Sequence, residues 1–279
     1  ESRLITDSLG KAAHHAAAEV PLFTISIFSY LANSISVRDK SVPYSLVSAL
    51  DSEPRGLTLN TADAFRFEAI ERVAQNGNPP ITINDWTAQE LGARVGDNIS
   101  LEYYVWHEGG RLETKTAQFQ LSNIIPIAGF AADKNLVPEY PGITGSENLA
   151  DWDPPFPIDL KRVRKQDEDY WDLYSTTPKA FIPLPIAQKL WATRFGNLTS
   201  MRFLSPNPQA SAVLLSFQTK LKALLSPQTM GLNVIPVRAQ GLAASRGATD
   251  FGEYFLYFSF FLVVSALLLA SLFFKFGIE

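Results

Sequence analysis

Hydrophobic positions change their spacing several times along this 279-residue chain, and each change marks an element. Residues 1–20 place Leu4, Ile5, Leu9, Ala12, Ala13, Ala16 and Ala17 at helical intervals, and Pro21 ends that helix. A β-rich run from Leu22 to Val37 follows, then a turn at Arg38-Asp39-Lys40 and a second strand-like run from Val42 to Leu50. The spacing predicts a helix over 61–75, opened by Thr61 and broken at Asn76-Gly77-Asn78-Pro79-Pro80. Ile81 to Asn84 is a short strand, and Asp85 is expected to cap a helix carrying Trp86, Ala88 and Leu91. Gly92 closes that helix, and Val95-Gly96-Asp97 turns the chain into a strand from Asn98 to Trp106. Ile99, Leu101, Tyr103 and Val105 share one face of it. Glu108-Gly109-Gly110 then makes a hairpin with Leu112 to Ile127.

Residues 130–178 are rich in proline, acid and aromatic side chains, and their aromatics argue for a long ordered excursion rather than a floppy linker. Beyond it, strand and helix patterns alternate. Ala180 to Leu184 reads as strand, Pro185 to Arg194 as helix, and Leu198 to Leu204 as strand. Pro208 to Leu225 reads as an amphipathic helix burying Val213, Leu214, Phe217, Leu221, Leu224 and Leu225, and Leu232 to Val237 as a last strand. That βαβαβ order predicts a small α/β layer. No internal repeat stands out.

The pattern then changes in kind. Tyr254 to Phe274 is a run of 21 residues without charge, proline or glycine. A helix of that length spans about 31 Å, the hydrocarbon thickness of a bilayer, which favours a membrane span over a buried core helix. Lys275 follows the span, while Asp250 and Glu253 precede it, so the lysine votes for a cytoplasmic C-terminal end. The chain reads as a piece of a longer membrane protein.

Composition narrows the functional classes. With 46% hydrophobic and 19% charged residues, the chain has enough apolar matter for a core. A net charge of −4 gives no electrostatic drive toward nucleic acid. The absence of cysteine removes disulfides, thiolate metal sites and cysteine nucleophiles. Phosphate-loop, dinucleotide-binding and nucleophile-elbow motifs are missing, so ATP hydrolysis by this chain alone is not expected. His14 and His15 point about 100° apart on a helix, and His107 falls at a hairpin tip, so no zinc site is expected. Glu147, Asp151, Asp153 and Asp159 could offer oxygen ligands to calcium but lack the loop pattern of an EF-hand. The block Lys161, Arg162, Arg164 and Lys165 precedes Asp167, Glu168 and Asp169, a spacing that favours mutual pairing. Tyr170, Trp171 and Tyr174 either pin the excursion to the body or form a binding surface. We expect no catalytic, cofactor or metal site.

Two segments resemble the FtsX-like permeases of type VII ABC transporters, relatives of MacB and of LolC and LolE. One runs from Ile83 through Asp85, Ala88, Leu91-Gly92 and Gly96-Asp97 to Ile99 and Leu101. It is similar to the family's A-x-x-L-G-x-x-x-G-D-x-I-x-L stretch. The other, Asp250 to Glu279, is similar to the family's second transmembrane helix, which leads into a cytoplasmic coupling segment. The resemblance implies an α+β fold. Residues 1–20 would be a helix leaving a preceding span. Residues 21–249 would form a MacB-like extracytoplasmic domain, with a porter-like α/β part and a smaller β-rich part. Residues 250–279 would be the membrane helix. It further implies a permease that turns ATP hydrolysis by a partner subunit into movement of the outer domain. The cargo would be a lipid, lipoprotein, peptide or drug. Its partners would be an ABC ATPase subunit, membrane lipids, a second permease copy or homologue, and an extracytoplasmic protein. It would lie in the inner (plasma) membrane. The stretch Gln240 to Asp250 is then the expected joint, with Gly241 and Gly247 permitting backbone change. The alternative is a membrane-anchored extracytoplasmic binding or scaffold protein with a single C-terminal span.

Overall fold

The computed structural model describes residues 4–51, 77–107, 110–205, 210–228, 231–245 and 251–277. The helix expected over 61–75 and the hairpin tip at Glu108-Gly109 lie outside them. The chain divides into two compact units, 1–230 and 231–279.

In the first unit, helix α1 (Asp7–Ala18) starts at Thr6, whose hydroxyl accepts from the Leu9 amide. Leu4 and Ile5 fall before it, and Ile5 instead forms a bridge with Leu198. Strands β1 (Phe23–Val37), β2 (Lys40–Leu50) and β3 (Pro80–Asn84) come next, then α2 (Asp85–Leu91), β4 (Asn98–Trp106) and β5 (Leu112–Ile125). The excursion contains four short 3-10 turns and α3 (Lys165–Tyr174), after which β6 (Ala180–Pro183), α4 (Leu184–Trp191), β7 (Ser200–Leu204) and α5 (Ala210–Leu224) complete the unit. All seven described strands join one sheet in the order β2-β6-β3-β5-β4-β1-β7, and β1 also pairs with β2. Six strands therefore close into a barrel-like ring, with β7 hung on β1 outside it. The fold is mixed α+β. The described strands form this single sheet.

The ring encloses Phe28, Ile83, Ile99, Leu101 and Phe119, all almost fully buried. β1 is buried on both faces, which explains why its polar and apolar residues fail to alternate cleanly. Ile25 and Ile27 point away from that core and are covered by Ala131, Leu136 and Phe181. Leu31 meets Val137, Ile143, Trp152 and Trp171 from the excursion. Residues 130–178 are thus a second layer over the barrel, ordered by their aromatics as expected. Ser29 survives between the layers because its hydroxyl meets Ser48 Oγ at 2.7 Å and donates to the Leu136 carbonyl at 2.8 Å.

Four local readings need correction. Asn84, not Asp85, caps α2: its Oδ1 accepts from the Thr87 amide at 2.8 Å. Its Nδ2 donates to the Tyr170 hydroxyl and the Pro178 carbonyl, so burial suits an amide there better than a carboxylate. α5 buries only Phe217 fully, against Ala16 and Ala17 of α1, with Leu221 beside it. Leu214 and Leu224 are exposed, because α1 and Phe203 of β7 cover only a narrow stripe. Leu232 to Pro236 form no strand; they have no pairing partner, and helix α6 (Val237–Ser245) begins at once. The expected βαβαβ order ends as β6-α4-β7-α5, and β6 and β7 are not neighbours, since β7 pairs antiparallel with β1.

The second unit holds α6 and α7 (Phe251–Gly277). α7 is 27 residues long with a mean hydropathy of 2.3 over its most apolar window, and its apolar side chains are exposed all round.

Candidate functional site

The strand β1 has different partners along one edge. Phe23–Ile27 pair with β7 and Ser34–Ser36 with β4, leaving residues 28–33 without a partner strand on that side. A cavity of about 680 Å³ opens at this gap. One wall is an aromatic stack: the Tyr30 and Trp191 rings lie 4.8 Å apart and 11° from parallel, and Phe28 meets Trp191 edge-on at 6.0 Å. Tyr104 and Phe156, also edge-on, line the cavity too, as do Trp106 and Phe195, both exposed. The Tyr30 hydroxyl donates to the Tyr104 carbonyl, and burial pushes its pKa up to about 12, so it stays a neutral donor. The Trp191 indole N–H is buried without an acceptor among the described residues.

At the rim, the Arg194 guanidinium lies 4.8 Å from the centre of the Phe195 ring and makes no ion pair with any described carboxylate. His107 is paired with Glu113, whose carboxyl that hydrogen bond holds below the ordinary range. Sequence reading found none of these wall residues as a site. Their signal is an excess of aromatics in β1 and β4, but only the fold brings these together with Trp191 and Phe156.

A second cluster lies at the start of β6. Lys179 is 5% exposed, and its Nζ lies 4.9 Å from the Trp86 ring centre and 4.8 Å from that of Tyr170. Asp167, buried, accepts two hydrogen bonds from the Arg164 side chain at 2.9 Å, and Arg164 also reaches Glu90 at 3.3 Å. The expected pairing of the basic and acidic blocks is thus seen at Arg164–Asp167 and at Lys165–Asp169. Burial pushes the Lys179 pKa down to about 8, while Asp167 pulls it the other way. In the unfolded chain the same lysine keeps its proton up to its ordinary value of 10.5. Between these values the unfolded state binds more protons, so stability rises with pH through that window. The expected rise from pH 8 to 10 is on the order of 2 kcal/mol. Thermal melts of the parent and Lys179→Met across that range check it: the parent gains stability relative to the variant. Parallel pH profiles would refute the assignment.

The remaining sequence candidates fall as follows. Tyr170 and Trp171 pin the excursion to the body. The Tyr170 hydroxyl accepts from Asn84 Nδ2 at 3.0 Å, and Trp171 packs with Leu31, Tyr44 and Leu46 of β1 and β2. Asp151 and Asp159 accept local turn hydrogen bonds from Asn148 and the Lys161 amide. His14 meets Ser26 Oγ at 2.9 Å, and His15 lies 3.4 Å from Glu19. Gly92 takes the left-handed φ of 60° expected of a helix end, and Asp97 does more than turn the chain, pairing with Arg38 at 2.6 Å. Gly241 lies within α6, and Gly247 lies outside the described residues. No family model matches the chain, and no curated protein matches it.

Proposed function

We propose that this chain is the outer domain and one membrane helix of an FtsX-like ABC permease, passing the ATP-driven motion of a partner subunit to an outer domain. The observation that carries the membrane part is α7, 27 residues long and without a charge from Tyr254 to Phe274. The permease assignment is supported by the Ile83–Leu101 block, which forms the compact β3-α2-turn-β4 unit of the barrel, with Gly92 and Asp97 in structural positions. Its cargo would be a lipid, lipoprotein, peptide or drug, and its location the inner (plasma) membrane with the body outside the cytoplasm. The described aromatic cavity also suits the second reading, a membrane-anchored binding protein, because that reading needs a ligand site and no ATPase.

Topology tests the orientation. With no native cysteine, Glu147→Cys, in the exposed part of the excursion, and Glu279→Cys are each the only thiol. A small membrane-impermeant thiol reagent on intact cells should label the first and spare the second until the membrane is opened. The reverse pattern inverts the proposal. Co-purification of the full-length gene product with an ATPase subunit separates the permease from the anchored binder. In that complex Gly241→Pro, which breaks α6 at its middle, should lower cargo movement while ATP hydrolysis persists. Unchanged movement removes this joint from the mechanism.

A further inference from the structure

The cavity beside β1 combines three features that select a ligand class. Its volume, about 680 Å³, falls within the range of small-molecule sites, roughly 300–1,000 Å³. Its walls are dominated by aromatic and aliphatic side chains, with Phe28, Tyr30 and Trp191 packed as one surface. Its rim carries one exposed cation, Arg194, with no carboxylate partner among the described residues, whereas His107 is already tied to Glu113. An apolar interior with a guanidinium at the mouth that pairs with no described carboxylate complements a molecule with a long apolar tail and one anionic head.

An added peptide strand fits less well. The unpaired edge of β1 is already capped by side chains: the Ser29 amide donates to Thr199 Oγ1 at 3.0 Å, and the Tyr140 hydroxyl donates to the Ser29 carbonyl at 2.9 Å. A strand docking there would have to displace both bonds before forming its own ladder.

We propose that this cavity binds a long-chain fatty acid, its tail against Phe28, Tyr30 and Trp191 and its carboxylate at Arg194. The proposal deepens the membrane reading and rests on it only for the source of the ligand, since a chain anchored by α7 is surrounded by acyl lipids. The tail displaces water from an aromatic wall, and the carboxylate gains a bidentate partner that no described carboxylate occupies.

The test uses the full chain in phosphatidylcholine nanodiscs with a diazirine-bearing palmitic acid. After irradiation, mass spectrometry of the digest should place the label on the peptides spanning 28–31 and 190–195. Excess ordinary palmitate should abolish it. Arg194→Glu should weaken labelling by about tenfold, the loss of one charge-assisted contact. Leu112→Trp, which fills the cavity from β5, should remove labelling with an unchanged thermal melt, and a lower melt is answered by the surface variant Arg194→Glu. Label confined to α7 overturns the proposal and leaves the anchor standing. Equal labelling by the corresponding diazirine alcohol overturns the anionic head. If the chain does not enter nanodiscs, the anchor reading fails instead, and the same labelling on the detergent-solubilised chain still decides the cavity.

Discussion

Replacing Val264 and Leu267 together by lysine is expected to move this chain out of the membrane fraction. Both positions lie near the middle of α7, where no charge occurs between Glu253 and Lys275. On an insertion scale, Leu, Phe and Val each contribute about −0.3 to −0.6 kcal/mol at a helix centre, and a lysine costs about 2.5 to 3.5 kcal/mol. Two lysines therefore cancel the contribution of on the order of ten apolar residues, most of what the helix has. Extraction of membranes with alkaline carbonate, followed by flotation, checks the outcome. The parent floats with lipid, and the double variant pellets or stays in the soluble load. Lysines at Leu214 and Leu215, exposed on α5 of the first unit, should leave flotation unchanged. Carbonate-resistant flotation of the Val264/Leu267 variant would show that α7 is not the anchor.

A second large effect is expected from one methyl group in the excursion. Gly142 has φ +73°, and a Cβ built there meets the Asp153 carbonyl oxygen at 2.0 Å and its carbon at 2.5 Å. The two backbones are also joined by a hydrogen bond from the Asp153 amide to the Gly142 carbonyl at 2.8 Å. Backbone cannot swing aside as a side-chain tip can. Gly142→Ala must add the left-handed penalty of about 1–2 kcal/mol to the cost of separating the two segments. We expect a total of roughly 3–4 kcal/mol, in the range of severe single substitutions. For a unit of this size that lowers the melting temperature by about 10 °C. Gly145→Ala, three residues on, meets nothing within 4 Å and should be near neutral. Equal melts for the two alanine variants would contradict the packing of Gly142 against Asp153.

The sequence was legible where the pattern is local. β4 could be read from its alternation, Gly92 from the physics of a helix end, and α7 from length and apolarity alone. The excursion was legible as ordered through Trp152, Tyr170 and Trp171. What escaped were features that depend on distant partners. Leu232 to Val237 has the composition of a strand, but a strand exists only through its neighbour, and none of the described residues pairs with it. Leu214 and Leu224 have helical spacing, but α1 and Phe203 of β7 cannot bury a wide stripe. Lys179 carries no local mark of burial, because the Trp86 and Tyr170 rings that cover it come from two other elements. The aromatic cavity was invisible for the same reason: its walls come from β1, β4, α4 and the excursion, and its existence depends on β1 lacking a partner strand between β7 and β4.

The place of β6 in the ring bears on how the chain is made. This short strand fits between β2 and β3, parallel to the first and antiparallel to the second. Until residues 180–183 have left the ribosome, both of those strands present a bare edge of amides and carbonyls. At roughly 5–20 residues per second, that interval after β2 lasts on the order of ten seconds. During it, β1 and β2 can form their long hairpin, but the ring stays open and its apolar interior faces solvent. Closure of the described ring therefore waits on β6, and until then the edges of β2 and β3 are where a half-made chain can pair with a neighbour.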